Sequence, residues 1–397
     1  MSGALRVKHD LIFVWENFGP IHADRCDAVA EGFGDEYRVI GLEWTSRSAI
    51  YDWDPEEGKK FKKLTLFPNE RLDNISTFRQ TFILLRYCFR YFRGTFFLCH
   101  YERLPTLLVA LSLRISGHQV IVMNDSKFDD CERTLWREVV KWLFYLPYSG
   151  AIASGTRSRD YLRFLGVQSD RIELNYDTLN LERIVALADA PKAPDGVDFI
   201  DRHFSIVARL VPKKNIRLAL EAYRIYQKAA EVPRKLYICG SGELENELKE
   251  LVRSFDLEKH VLFTGFIQTK LVAKRLSSTL ALILPSTEEQ FGNVVVEAQA
   301  LHVPVILSEN CGARDLLVRS GVNGFVFEPD NAIGLAFFMQ LLSDNEALWR
   351  RMCRAAVHTA WRGDVRGFVS SVSRQLGKRS SRLARRSEEV GIDASER

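Results

Sequence analysis

Five apolar residues, Leu280–Leu284, run into a polar bend from Pro285 to Gly292, after which Val294, Val295, Ala298 and Leu301 recur on one helical face. The run has the length of a buried strand, and Pro285, Ser286, Thr287 and Gly292 break the pattern behind it. Strand, polar loop and helix start in this order aim free backbone N–H groups and a positive dipole end at an anion. Two acids flank that position: Glu289 in the loop and Glu297 eight residues on, about one turn into the helix. Carboxylates beside an anion hole suit a ligand with hydroxyls as well as phosphates. A sugar joined to a nucleotide diphosphate is such a ligand.

The same strand-then-helix alternation runs through the chain. Strands are expected at Leu11–Trp15, Tyr37–Gly41, Phe96–Cys99, Gln119–Met123 and 150–154, with helices at 24–33, 77–93, 105–116, 129–146 and 156–165. A second series begins at Phe204–Ala208 and continues through Lys235–Cys239, Val261–Thr264, 280–284, Pro304–Ser308 and Phe325–Phe327. Alternation of this kind predicts parallel, doubly wound sheets, with ligands at the carboxyl ends of the strands. At 397 residues there is chain enough for two such cores. We expect residues 1–180 as the first domain, 181–200 as a hinge, 201–345 as the second domain, 346–373 as C-terminal helices that pack back on the first domain, and 374–397 as a basic, disordered tail. Residues 45 to 75 give no readable pattern.

Composition narrows the class. Apolar content of 46% and charged content of 27% are those of a soluble globular protein, and a net charge of +4 implies no polyanion partner. Seven scattered cysteines without a C-x-x-C pair argue for reduced thiols and against a zinc site or disulfide framework. No apolar run reaches transmembrane length, so a cytoplasmic location is expected, with at most a weak contact to a membrane surface and none to nucleic acid. Helix 77–93, where Arg79, Arg86, Arg90 and Arg93 interleave with phenylalanines, and the basic tail are the segments able to touch anionic lipid. The rival reading of that helix is an ordinary one with solvated arginines.

Arg209 and Lys214 stand just past the first strand of the second series, where two fixed cations suit a diphosphate. With them, Gly240-Ser-Gly242-Glu243, Thr264-Gly265-Phe266, Pro285-Ser286, Glu289-x7-Glu297, the run Pro304 to Gly312, and Asn323-Gly324 follow in order. The ordered set resembles the donor half of the retaining GT-B glycosyltransferases of family 4, and the first half resembles them more loosely. The resemblance implies a GT-B fold of two Rossmann-like doubly wound domains facing a central cleft. It also implies retaining, metal-independent sugar transfer, needing no cofactor beyond a UDP- or GDP-sugar donor. By the same resemblance Arg209 and Lys214 bind the diphosphate, Glu297 accepts from the ribose hydroxyls, and Glu289 lies against the donor sugar. The backbone of Gln290, Phe291, Gly292 and Asn293 reaches sugar or phosphate, Gly265 and Phe266 sit by the base, and Gly19 closes the donor from the first domain. Gln290 and Asn293 depart from the family pattern at the sugar end, and Asn215 replaces a common glycine.

His22, His100 and Asp125 follow strand ends in the first half and are expected to face the cleft, His100 being the best placed to contact acceptor or donor sugar. The acceptor expected from the resemblance is a glycan or lipid-linked glycan of bacterial surface polysaccharide, met on the inner face of a membrane. The rivals are a transferase of the same fold with a small soluble acceptor, and a non-catalytic nucleotide-sugar-binding relative. Three other motifs rank below these. Asp52-Trp53-Asp54 matches a metal-binding D-x-D but not after a strand, Gly240-x-Gly242 has Glu245 where a dinucleotide site needs glycine, and Cys311 has no orienting acid.

Overall fold

The computed structural model describes residues 9–46, 57–91 and 94–377. Its first sheet holds β1 (His9–Trp15), β2 (Tyr37–Thr45), β3 (Lys62–Phe67), β4 (Thr95–Leu98), β5 (Gln119–Asn124), β6 (Gly150–Ala153) and β7 (Ile172–Glu173). The second holds β8 (His203–Val207), β9 (Leu236–Cys239), β10 (Val261–Gly265), β11 (Thr279–Leu284), β12 (Val305–Ser308) and β13 (Gly324–Phe327). The orders are β3-β2-β1-β4-β5-β6-β7 and β10-β9-β8-β11-β12-β13, and all the pairings are parallel.

Between the strands of the first sheet run α1 (Pro20–Phe33), α2 (Thr77–Cys88), α3 (Leu104–Ile115), α4 (Leu135–Tyr145) and α5 (Thr156–Phe164). α6 (Leu181–Ala188) leads into the second sheet, which carries α7 (Ile216–Ala229), α8 (Glu245–Ser254), α9 (Thr269–Ser277), α10 (Asn293–Ala300), α11 (Arg314–Leu317), α12 (Ala332–Asp344) and α13 (Glu346–Ala360). A last helical stretch covers 365–377. Central strands such as β1 and β11 are apolar along their whole length because helices cover both faces of a parallel sheet. Residues of α2 to α5 share one core on one face of the first sheet. On the opposite face, Phe368, Val372 and Leu376 of the last helix join Cys26 and Val29 of α1.

In each sheet the chain leaves the middle in both directions. The first sheet has its switch point between β1 and β4, the second between β8 and β11. Crevices open at the carboxyl ends of the strands at such points. The loops after β4, β8 and β11 carry His100, Arg209 with Lys214, and Glu289, and the first turn of α1, just past β1, carries His22.

Several boundaries differ from the expectation. Residues 181–200 are not a free hinge: Asn180 caps α6 by accepting from Arg183 N at 3.0 Å, and Ile184, Ala188 and Ala193 belong to the second core. The crossing between domains is instead two strands of chain side by side. Leu179 N donates to Gly363 O and Val365 N to Leu179 O, both at 2.9 Å. Of the C-terminal helices, α13 packs in the second core through Trp349 and Met352, and only 365–377 returns to the first domain. The first four residues of the expected tail, 374–377, belong to the last helix. Arg374 pairs with Glu173, and Gln375 Nε2 donates to Ala151 O at 2.8 Å and Arg171 O at 2.9 Å. Residues 378–397, Arg93 and Asp52-Trp53-Asp54 lie outside the described residues. The unreadable stretch 45–75 supplies β3, which among the described residues is an outer strand paired with β2.

Candidate functional site

The loop after β8 is clamped by backbone. Ala208 N donates to Cys239 O at 3.1 Å, Leu210 N to Ser241 O at 2.9 Å, and Leu244 N to Leu210 O at 3.0 Å. Gly240 (φ +152°) and Gly242 permit this approach: a Cβ on Gly240 would meet Ala208 O at 1.9 Å, one on Gly242 would meet Leu210 O at 2.4 Å. These glycines hold the backbone on either side of Arg209, a structural task that replaces the dinucleotide reading. Asn215 takes the left-handed conformation at φ 53° and donates to Pro285 O at 3.2 Å and Pro329 O at 2.8 Å. Glycine or asparagine suits such a position, and here the amide also ties the Lys214 loop to the exit of β11.

That tie brings the chemistry together. Lys214 Nζ donates to the Glu289 carboxylate, which also accepts from Ser286 Oγ at 3.1 Å, and the paired side chains are only 14% and 11% exposed. Behind the loop, Gly312 N donates to Glu289 O at 3.1 Å and Ala313 N to Phe291 O at 2.8 Å, while a Cβ on Gly312 would lie 1.8 Å from Gln290 O. Gly292, at φ +98°, starts α10 with no side-chain cap; Val295 N donates to Gly292 O at 2.9 Å, and the amides of Asn293 and Val294 before it lie ahead of the intrahelical ladder. Cys311 is buried and donates from Sγ to Phe291 O at 3.0 Å; burial pushes its thiol up to about 12, with Glu289 adding to the rise. It is a packing residue, not a nucleophile.

Glu297 lies a turn into α10, its carboxyl raised to about 7 by burial, with Arg183 lowering it and Asp24 raising it. Those two neighbours form an ion pair of their own, Arg183 Nη2 to Asp24 Oδ2 at 2.7 Å, which bridges α6 to α1. Gly265 turns the chain at φ +69° after β10, and its carbonyl accepts from Gly240 N at 2.8 Å. Phe266, next in the chain, is 38% exposed.

On the first domain, Gly19 N donates to His22 Nδ1 at 3.1 Å, which leaves the His22 proton on Nε2. The Gly19 amide is therefore engaged locally rather than open to a donor. His22 sits against Trp15 with ring centroids 4.9 Å apart, and burial, then Arg25, then His100, hold it well below the usual histidine range. It is a neutral N–H donor. His100 closes β4 in the left-handed region at φ 59°, with Nδ1 3.4 Å from Glu102 Oε1. Asp125 follows β5; burial and then the Asp177 charge raise its carboxyl to about 7. Asp177 is itself raised by burial, a rise opposed by Arg25, whose Nη2 lies 3.0 Å away, and by the neighbouring Asn293. Asn293 Oδ1 is buried without a hydrogen-bond partner.

Asn293 and Asp177 thus join the two expected clusters into one site between the domains. A second bridge closes the other side. Arg157 donates from Nε to Asp315 at 2.9 Å, from Nη1 to Asp129 and from Nη2 to Cys311 O, both at 2.6 Å. Sequence reasoning missed Arg25, Asp177, Arg157, Asp315, Arg183 and Asp24. Their partners lie far along the chain, and the only local hint was charge at positions of α1 that the helical period turns inward.

Residues 201–358, about two fifths of the chain, match the family model for glycosyl transferases group 1. The amylovoran biosynthesis glycosyltransferase AmsK of Erwinia amylovora is 32% identical over 147 residues, 36% of either chain. A Campylobacter jejuni enzyme, N-acetylgalactosamine-N,N'-diacetylbacillosaminyl-diphospho-undecaprenol 4-alpha-N-acetylgalactosaminyltransferase, is 28% identical over 173 residues, 43% of this chain and 44% of its own. These matches span less than half of the relatives' length. Over nearly the whole chain the fold matches HepE of Anabaena, solved in complex with UDP and glucose, at a TM-score of 0.68 and 18% identity, covering 93% of this chain and 99% of that one. The fold is GT-B.

Proposed function

We propose that this chain, a GT-B protein whose second domain matches the group 1 glycosyl transferases, moves a sugar from a nucleotide-diphosphate donor to a glycan or lipid-linked glycan. The observation that carries this reading is the grouping of Arg209, Lys214, the uncapped start of α10, Glu289 and Glu297 around the β8/β11 switch point. A bare anion site needs no carboxylates, and a sugar site needs no pair of cations; together they fit a nucleotide sugar. UDP is the nucleotide to test first, with GDP second.

In this reading the diphosphate lies against Arg209, Lys214 and the first amides of α10. The negative charge that grows on it as the glycosidic bond breaks is met by groups already in place. Glu297 accepts from the ribose, and Glu289, held by Ser286, accepts from sugar hydroxyls. Gly265 and Phe266 flank the base. Across the cleft, the Nε2–H of His22 and the side chain of His100 are hydrogen-bonding partners for sugar or acceptor. We further propose retention without a metal, the leaving phosphate oxygens taking the acceptor proton, with the acceptor met on the inner face of a membrane in surface polysaccharide synthesis.

Incubation with UDP- and GDP-sugars tests this directly. The reading expects release of nucleoside diphosphate, and a rise in thermal stability with the cognate donor because ligand binds only the folded chain. A panel in which no donor is hydrolysed, transferred or bound sinks it.

A further inference from the structure

Helix α4 is built inside out. A surface helix of a globular protein turns its apolar stripe to the core. Here Leu135, Trp136, Val139, Val140, Trp142 and Leu143 are 42 to 78% exposed, whereas Glu138 is buried. The inward face is a polar network. Tyr161 Oη donates to Glu138 at 2.6 Å and accepts from Arg133 at 2.8 Å and from Lys141 at 3.0 Å, and Lys141 also donates to Glu138 at 3.0 Å. The helix is thus anchored by charge from within and offers its hydrophobic side outward, on a scale that marks an interaction surface.

The surroundings identify the medium. α2 and α3 cover the same face of the first sheet and also expose apolar side chains, Phe78 at 81% and Ile115 at 85% among them. Arg86, Arg114 and Arg137 stand exposed between these residues. The three helices contain a single carboxylate, Glu138, and it is the buried one. A second copy across a two-fold axis would set cations against cations. A bilayer with anionic headgroups matches both properties, since arginines meet phosphates while tryptophans favour the interface. No described helix is long and apolar enough to cross a membrane, so α4, eleven residues long, would lie in the plane of the interface.

We propose that α4, supported by the outward sides of α2 and α3, docks this chain on an anionic lipid surface, with Trp136, Val139, Trp142 and Leu143 entering the acyl region. The amino end of α4 follows β5 and the turn Phe128–Asp130, so docking sets the cleft rim at Asp125 toward the headgroups. That use of the surface rests on the lipid-linked acceptor reading; the docking stands without it.

The test uses the whole chain with phosphatidylcholine vesicles, with and without phosphatidylglycerol, read by co-sedimentation and tryptophan emission. Binding to the anionic vesicles with a blue shift is expected. Trp136→Ser with Leu143→Ser should weaken it about tenfold or more, because both exposed side chains leave the acyl region. Arg137→Glu should weaken binding to the anionic vesicles alone. Donor binding, measured without vesicles, should be unchanged in each variant, which separates failure of docking from failure of the transferase reading. Absence of binding by the wild type, or equal binding by the double serine variant, overturns the proposal. So does a dimer that the serine variant dissociates while neither vesicle is bound.

Discussion

Lys214 and Glu289, seventy-five residues apart, form an ion pair across the β8 and β11 loops, with Ser286 holding the carboxylate from its other side. The cation assigned to the donor phosphates and the acid assigned to the donor sugar therefore fix one another's position. Groups held this way need no reorganisation as charge develops, which is the condition for electrostatic catalysis.

Removing either member should expose that dependence. Lys214→Ala should lower kcat about a hundredfold or more, as loss of one charge-stabilising donor does elsewhere. Glu289→Gln should fall less, and the double variant by less than the product of the two, because the residues act as a pair. Steady-state kinetics with the cognate donor measures this. Additive losses would show that the contact is incidental.

Gly240→Ala should displace the Arg209 loop, since a methyl group would lie 1.9 Å from Ala208 O and the residue's φ is +152°. Donor affinity should fall while circular dichroism stays near that of the wild type at low temperature. Arg209→Ala should give the same loss of affinity with no change in backbone. Full donor affinity in both would remove Arg209 from the site.

Glu297 gives a pH signature with a defined sign. Its carboxyl is raised to about 7 in the folded chain, against an ordinary value of 4.5, so the folded state binds the proton more tightly than the unfolded one. Its contribution to stability is present below about 4.5 and is lost as pH rises toward 7 and beyond. Glu297→Gln should lack that decline. Donor binding through the carboxylate should strengthen over the same range in the wild type and stay flat in the variant. Melting temperature and donor affinity against pH, measured for both proteins, decide it; parallel curves would place Glu297 outside the site.

Arg157, paired with Asp129 in its own domain, bridges to the second domain through Asp315 and the Cys311 carbonyl. Arg157→Ala leaves Asp315 less than fully exposed and short of a cation, an uncompensated charge that favours separation of the domains. A larger radius of gyration in solution scattering is expected, with KM for the donor raised about tenfold or less and kcat less affected. An unchanged scattering curve would show that the Arg157 bridge is not needed to hold the domains together.

Much of this protein was legible in the sequence because its information is local. Runs such as Leu280–Leu284 are apolar throughout since a parallel strand is buried on both faces, and the bend from Pro285 to Gly292 could only end such a strand. The order of most strands and helices, and the positions of Arg209, Lys214, Glu289 and Glu297 just past strand ends or near a helix start, followed from that periodicity; β3, β7 and the switch points came only with the strand order of the sheets. What tertiary structure alone decided depends on contacts between distant segments. The pairing of Lys214 with Glu289, the engagement of Gly19 by His22, the approach of Asn293 to Asp177, and the two interdomain bridges join residues with no shared local pattern. The segment 181–200 looked like a hinge because alanine, aspartate and proline thin out its hydrophobic pattern, yet Ile184 and Ala188 suffice to seat it in the second core. Helix α4 shows the same division. Its amphipathic period is plain in the sequence, but which face turns inward was fixed by Tyr161, whose hydroxyl holds the charged side and leaves the apolar side for another medium.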